Sequence, residues 1–409
     1  MVQRRHTRLT YRLELWRAAM QGVLETAATT FLLLIAVRWF QAGALAKGWV
    51  AAGSSIGLLA SPLVVWHVSR KGWRSAQAAA GIAVAGAIVF ALMAVMPWPP
   101  VFIVGSVAGL TATSAAIPLM TQIYQENYPA TARGRLFSRT VMLRIGAATV
   151  FSFLAGRWLN AHLSHFQWLL AIFALAFGVS AWCLHQIPSR PLSDEGGTHP
   201  WRAWRYVRED RLFRYTLAAW MLMGWANLMM WPLRVEYLAN ERFGLKLPVM
   251  TIALLVGVIP NAVRLLISPL WGWLFDRMNF FALRVILNLG FALGIIAFFT
   301  GHSMPALILG AVVFGVANAG GDVAWSLWVT KLAPPTRVAD YMSVHTFLTG
   351  VRGVLAPLTA YALATPQNLG WLAAGCAGLI LVASAILVPE IKLDREKRRG
   401  VALVEDVSE

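Results

Sequence analysis

The chain has 409 residues, of which 58% are hydrophobic and only 13% charged, against roughly 25% charged in ordinary globular domains. That balance excludes an ordinary soluble domain and marks a polytopic α-helical membrane protein, because apolar runs of about 20 residues, enough to cross a bilayer, recur along its length. The net charge of +17 does not imply nucleic acid, since the basic residues sit between the runs, where orientation in the membrane accounts for them.

Twelve spans are predicted. Arg4, Arg5, Arg8, Arg12 and Arg17 precede span 1, about Ala18 to Phe40. A basic start, an apolar run and Ala44-Leu-Ala46 imitate a cleavable signal peptide. The length of the run and Glu25 inside it speak instead for a retained span. Span 2 is about Gly48 to Val68 and span 3 about Ala76 to Met96, followed by the tight turn Pro97-Trp-Pro-Pro100. Span 4 is about Val101 to Ile123, span 5 about Leu136 to Leu159 and span 6 about Phe166 to Ile187. Residues 188–211 form the longest polar stretch, in which Trp201, Trp204 and Tyr206 alternate with Arg202, Arg205 and Arg208. Such mixing suggests a short helix lying on the membrane surface; a solvated linker is the alternative. Span 7 is about Leu212 to Tyr237, span 8 about Pro248 to Phe275, span 9 about Phe281 to Thr300 and span 10 about Pro305 to Val329. Span 11 is about Ala339 to Ala364, span 12 about Leu369 to Val388, and a charged tail follows Pro389. Cys183 and Cys376 lie in apolar runs without metal-ligand spacing and read as packing residues.

The expected organisation is a six-helix half over 1–187, a linker over 188–211, a second six-helix half over 212–389 and a tail over 390–409. A repeat supports the two halves. Ser61 to Arg70 and Ser268 to Arg277 share five of ten residues at an offset of 207, and Pro129-Ala-Thr and Pro334-Pro-Thr recur at an offset of 205. Internal repeats of this kind are common in secondary transporters. Basic residues fall predominantly on one set of alternate loops, which places both termini in the cytoplasm of a bacterial-type inner membrane. A monomer is the expected unit.

Six plus six spans, a basic central loop and Gly272-x-x-x-Asp276-Arg277 between spans 8 and 9 resemble the major facilitator superfamily. The first half departs from that signature, with Val65 and Ser69 in place of glycine and aspartate, while Arg70, Lys71, Gly72 and Arg74 keep its basic end. Span 5 holds Gly146 and Gly156 but no proline, so the drug-antiporter signature is not met. The resemblance implies a gate in which each signature loop meets the start of the fifth helix of the other half. Here that pairs Asp276 with Arg135 and Arg70 with Asp340, and Arg277 beside Asp276 belongs to the same gate. Asp340 also suits a helix N-terminus, and Asp276 could cap a helix through backbone N–H groups.

Ionisable residues within spans are costly and usually face a cavity or a partner. Glu25 and Asp322 are candidates for carrying a coupling proton; a structural ion pair is the alternative. Glu25, being the acid expected to lack an arginine partner, is preferred. Arg144, Arg264 and Arg352 also lie within spans, at roughly 10–15 Å from the inner ends for Arg144 and Arg264 and nearer the midplane for Arg352. Arg144 could simply snorkel to the surface. Arg264 and Arg352 are expected to be buried against Asp322 or the cavity, with Arg352 meeting a negative group of the solute. Asn227, Asn318, Trp325 and His345 complete the candidate cavity. Gly320 and Gly321 would thin span 10 to admit a substrate or a neighbouring backbone, and Trp220, Trp225, Trp231, Trp325 and Trp328 would give aromatic walls.

No enzyme motif, cofactor motif or metal-ligand set is present. The expected function is a secondary active transporter of a small organic solute, anionic or zwitterionic, coupled to protons and working by alternating access. A lipid or lysolipid flippase or scramblase on the same fold, and a transport-dead sensor signalling through residues 199–210, are the alternatives.

Overall fold

A chain that crosses a bilayer must satisfy its backbone internally, and a helix does so within a single segment. The computed structural model obeys this almost throughout: it describes residues 2–129, 133–191, 205–301, 303–332 and 338–407, nearly all of them helical, and for some of these, Arg135, Asp276 and Asp340 among them, the backbone alone. Twelve long rods result. We label them α1 (2–38), α2 (Ala44–Lys71), α3 (Ser75–Val95), α4 (99–127), α5 (Arg133–Ala161), α6 (Phe166–Gln186), α7 (Arg211–Ala239), α8 (249–277), α9 (Phe280–Thr300), α10 (Met304–Leu332), α11 (Val338–Leu363) and α12 (Leu369–Val407). Among the described residues nine helices are long and apolar enough to cross a membrane, and α2, bent by 44° at Pro62, makes a tenth. The other two, α7 and α11, are the rods that carry Arg234, Glu236, His345 and Arg352.

Local chemistry fixes several ends. Asp210 accepts a hydrogen bond from Phe213 N at 2.9 Å and opens α7; Asn279 does the same for α9 through Ala282 N at 3.0 Å. Gly72, at φ +61°, makes the left-handed turn that ends α2. The start of α1 differs from expectation. Its helix runs from Val2, and the first arginines lie on it rather than before it.

Six rods pack into each half. In the first, α3 lies on α6, α2 on α4, and α1 on α5; in the second, α9 lies on α12 and α10, α8 on α10, and α7 on α11 and α12. Two pairs form the seam, α2 with α11 and α5 with α8. They are related by the repeat, because α2 corresponds to α8 and α5 to α11. With no hydrophobic drive between helices in lipid, close packing of small residues has to supply the attraction. The seam does this at Gly350 and Gly353, where an added Cβ would overlap Leu59 and Ser55 of α2.

Among the described residues twelve rods run back and forth, so α1 begins and α12 ends on the same face. We call the other the far face. At the far face the halves are interlocked. Lys47 Nζ of α2 lies 2.6 Å from Glu236 Oε1 of α7, with both side chains buried. Asn240 Nδ2 donates to the same oxygen at 2.7 Å, and Arg242 Nη2 lies 3.2 Å away. Arg38 Nη2 donates to Leu247 O at 2.5 Å, and Asn160 Oδ1 accepts from Met250 N at 3.3 Å.

The described end of the linker docks onto the second half. Arg205–Glu209 forms a five-residue helix whose Tyr206 is buried against Tyr341, ring centroids 4.9 Å apart, and Tyr341 Oη donates to Asp210 at 2.9 Å. Trp201 and Trp204 lie outside the described residues.

Candidate functional site

The mid-span charges of α1, α5, α8 and α10 come together as one layer between the halves. Arg264 is its centre. Its Nη1 donates to Glu25 Oε1 across the seam at 2.6 Å, and its Nε donates to Asp322 Oδ2 at 2.5 Å. Arg144 Nε stands 3.2 Å from Glu25 Oε2, within ion-pair distance but without hydrogen-bond alignment. Two arginines thus face two carboxylates. The layer opens to one side, for the Asp322 side chain is 48% exposed and Arg264 only 11%.

The rods are modified where they carry this layer. α1 widens into a π-turn at Ala27–Phe31, just past Glu25, and α8 into another at Leu254–Val258, just before Asn261 and Arg264. The two turns pack against each other. Thr29 Oγ1 donates to Glu25 O at 3.0 Å, and Ser268 Oγ to Arg264 O at 2.5 Å. π-turns are rare and concentrate at functional sites.

Several expectations change. Glu25 is the acid with two arginines around it, so the reason for preferring it as proton carrier is gone; Asp322, half open to solvent, has the better access. Arg144 does not snorkel away but reaches Glu25. Arg352 and His345 do not join the layer. Both are buried and turned into the second half: Arg352 Nη1 donates to Trp220 O, and a Cβ at Gly224 would land on its guanidinium. His345 is enclosed by Trp220, Trp325 and Trp328, with ring centroids 5.2, 6.0 and 5.0 Å away. Trp220 and Trp328 are therefore packing residues of that half and not cavity walls. Asn227, Asn318 and Trp325 are half-buried, and among the described residues no hydrogen bond joins them to the four charged groups. Gly320 admits neighbouring helices rather than a substrate, because a Cβ there would overlap Leu287 and Trp271.

For the expected gate, the side chains of Arg135, Asp276 and Asp340 lie outside what the structure describes. Arg70 and Arg277 are exposed and stack on Trp66 and Trp273, 5.4 and 4.6 Å from the ring centroids. The repeat offset of 207 carries the whole Trp–Arg pair from one half to the other.

Other functional candidates escaped sequence reasoning. Glu14 is fully buried and chelated by Arg17 at 2.5 and 3.0 Å and by Tyr124 Oη at 2.7 Å. Lys47, Glu236, Arg234 and Arg284 are also buried. All lie near the ends of predicted spans, where a charge reads as solvated; the available signal was the acid–base pairing of Glu14 with Arg17 at helical spacing.

The sequence profile of the Major Facilitator Superfamily matches residues 18–286 and, in a second match, 255–406. No curated protein matches the chain. Among solved structures, the nucleoside transporter NupG superposes with a TM-score of 0.71 over 94% of this chain and 98% of that one, at 16% identity. A D-xylose-proton symporter gives 0.66 over 95% and 96%, at 16% identity. The human organic anion transporter TETRAN gives 0.65 over 94% and 99%, at 15% identity. At these identities the likeness is one of fold alone.

Proposed function

Because the chain belongs to the major facilitator superfamily, a family of transporters and not of enzymes, we propose that it is a secondary active transporter that moves a small organic solute by alternating access of its two halves. The observation that carries the reading is Arg264, held by Glu25 of the other half and by Asp322 of its own. A carboxylate that gains a proton loses its charge and hence its hold on a guanidinium. Protonation at Glu25 would cut the charged link between the halves, and this ties a coupling proton to their relative motion. Asp322 stands nearer to solvent and is the entry point for that proton.

The solute reads as zwitterionic or anionic. A layer of two guanidiniums and two carboxylates can exchange its internal pairs for the carboxylate and ammonium of a zwitterion. Among the fold neighbours, one is described as a proton symporter and another as an organic anion transporter, which is compatible with this reading. The conformation fits a stage closed at the far face, since the cross-half bonds between described side chains lie at mid-depth or beyond. With the termini cytoplasmic by the positive-inside rule, that stage is open inward.

Proteoliposomes with an imposed pH gradient test the proposal. Candidate amino acids and small organic acids should accumulate, and a protonophore should abolish accumulation. Glu25→Gln and Asp322→Asn should each stop accumulation yet leave counterflow exchange. If both variants still accumulate solute with a pH gradient as the only driving force, proton coupling through this layer is wrong.

A further inference from the structure

The second half contains a second group of buried charges, and it differs from the layer in having no acid. Arg284 of α9 is 1% exposed and sits over the indole of Trp220, its guanidinium carbon 3.6 Å from the ring centroid. Stacking covers the face of a guanidinium and leaves its edge donors pointing sideways. Here those donors, Nη1 and Nη2, have no hydrogen-bond partner. Arg352 reaches the backbone of the same residue from α11, donating to Trp220 O through Nη1, while its Nε is unpartnered. Trp220 thus links both guanidiniums, one over its ring and one on its carbonyl, and the His345 ring lies 5.2 Å from the same indole. Trp328, fully buried, stands beside His345 and Trp220, and the indole Nε1 atoms of Trp220 and Trp328 are unpartnered as well. No ion pair links either arginine to an acid among the described residues.

The balance of donors decides what is missing. Two guanidiniums, a second indole and an imidazole gather around Trp220, and every orphaned atom on the arginines and indoles is a donor. Leaving a buried cation unpaired costs several kcal/mol per ion in general, and water, being neutral, does not remove that charge. We infer that the second half holds a small monovalent anion between α7, α9, α10 and α11, received by Arg284 Nη1 and Nη2, Arg352 Nε and the indole N–H groups of Trp220 and Trp328. A monovalent anion suits the site better than a phosphate dianion. The surround is aromatic and closed, so dehydration of the ligand has to be cheap. The site lies within one half, away from the seam, and the inference does not rest on the transport reading.

The full-length protein in detergent provides the test, in sodium salts of equal ionic strength. Chloride, bromide, nitrate, formate and acetate are compared with gluconate, a much larger polyhydroxylated anion. A binding anion should raise the melting temperature saturably, by about 3 °C at a hundredfold excess over its Kd. Arg284→Gln and Arg352→Gln should each remove the rise. Bromide should also quench a saturable part of the tryptophan fluorescence, and Trp328→Phe should lose part of that component. A response to chloride, bromide and nitrate alone identifies an inorganic anion; an equal response to formate and acetate identifies a carboxylate. Identical melting temperatures in every salt overturn the inference, as does a rise that survives in both glutamine variants. Should those variants fail to fold, absence of saturable bromide quenching in the unaltered protein overturns it alone.

Discussion

The protein buries arginines in two ways. At the seam, Arg144 and Arg264 meet Glu25 and Asp322, and the group is neutral. Inside the second half, Arg284 lies over the Trp220 ring and Arg352 bonds the Trp220 carbonyl, and among the described residues no acid pairs with either, so the group is positive. The difference follows from where the partners reside. Glu25 and Arg264 stand on different bodies, so the neutrality of the layer depends on how the halves are placed. The members of the cationic group all stand on one body. Movement of the halves leaves their number unchanged, and among the described residues no acid of the same half pairs with them, which is why an anion from outside the chain is proposed.

The sharpest way to break this comparison is to remove one arginine from each group and compare signs. Arg264→Met removes the guanidinium that Glu25 and Asp322 share and so weakens the cross-seam link. It should destabilise the protein by about 3 kcal/mol, at the lower end for a broken buried pair because Asp322 is half exposed. Arg284→Met removes an unpaired charge, so in gluconate it should leave the melting temperature unchanged or raise it. Thermal unfolding of both variants in one buffer reads the contrast, and two losses of equal size would erase it. A smaller effect is expected at the far-face interlock. Lys47→Met should cost about 2 kcal/mol, less than a fully broken pair because Glu236 keeps Asn240 and Arg242. A double-mutant cycle with Glu236→Gln, followed by cysteine accessibility at the far face, measures the coupling; additivity would mean that the pair does not lock the halves. The smallest effect belongs to the proposed gate pairs of Arg70 with Asp340 and Asp276 with Arg135, worth about 0.2–1 kcal/mol if exposed. Asp340→Arg should favour opening at the terminus face and Arg70→Asp should restore the balance, read by cysteine accessibility on that face.

What the sequence discloses here is governed by depth. Glu25, Arg144, Arg264 and Asp322 were legible because a charge halfway along an apolar run has no solvent to reach. Lys47, Glu236, Glu14 and Arg284 were not, because each lies within a few residues of a predicted span end. Near an end, burial depends on which neighbouring rod covers the side chain, and one chain read in one dimension does not contain that. Arg352 and His345 were visible as polar residues but were assigned to the cavity. Which way a face of α11 turns is decided by the rotation of the whole rod, set by contacts such as Gly353 on Ser55 and Gly224 against Arg352. The twelve rods and their two-half plan were readable throughout, since bilayer thickness and the repeat impose them.

The two π-turns bear on the length of the chain as well as its shape. A π-turn is an α-helix with one residue more than the turn needs, and the helix on either side keeps its course. Deleting one residue within Ala27–Phe31 or Leu254–Val258 would convert that turn to regular α-helix and leave both flanks in phase. The same deletion elsewhere in α1 or α8 would rotate everything beyond it by about 100° and carry Glu25 or Arg264 off its face. These rods can therefore each shed a residue at one place only, and that place adjoins the ion-pair layer.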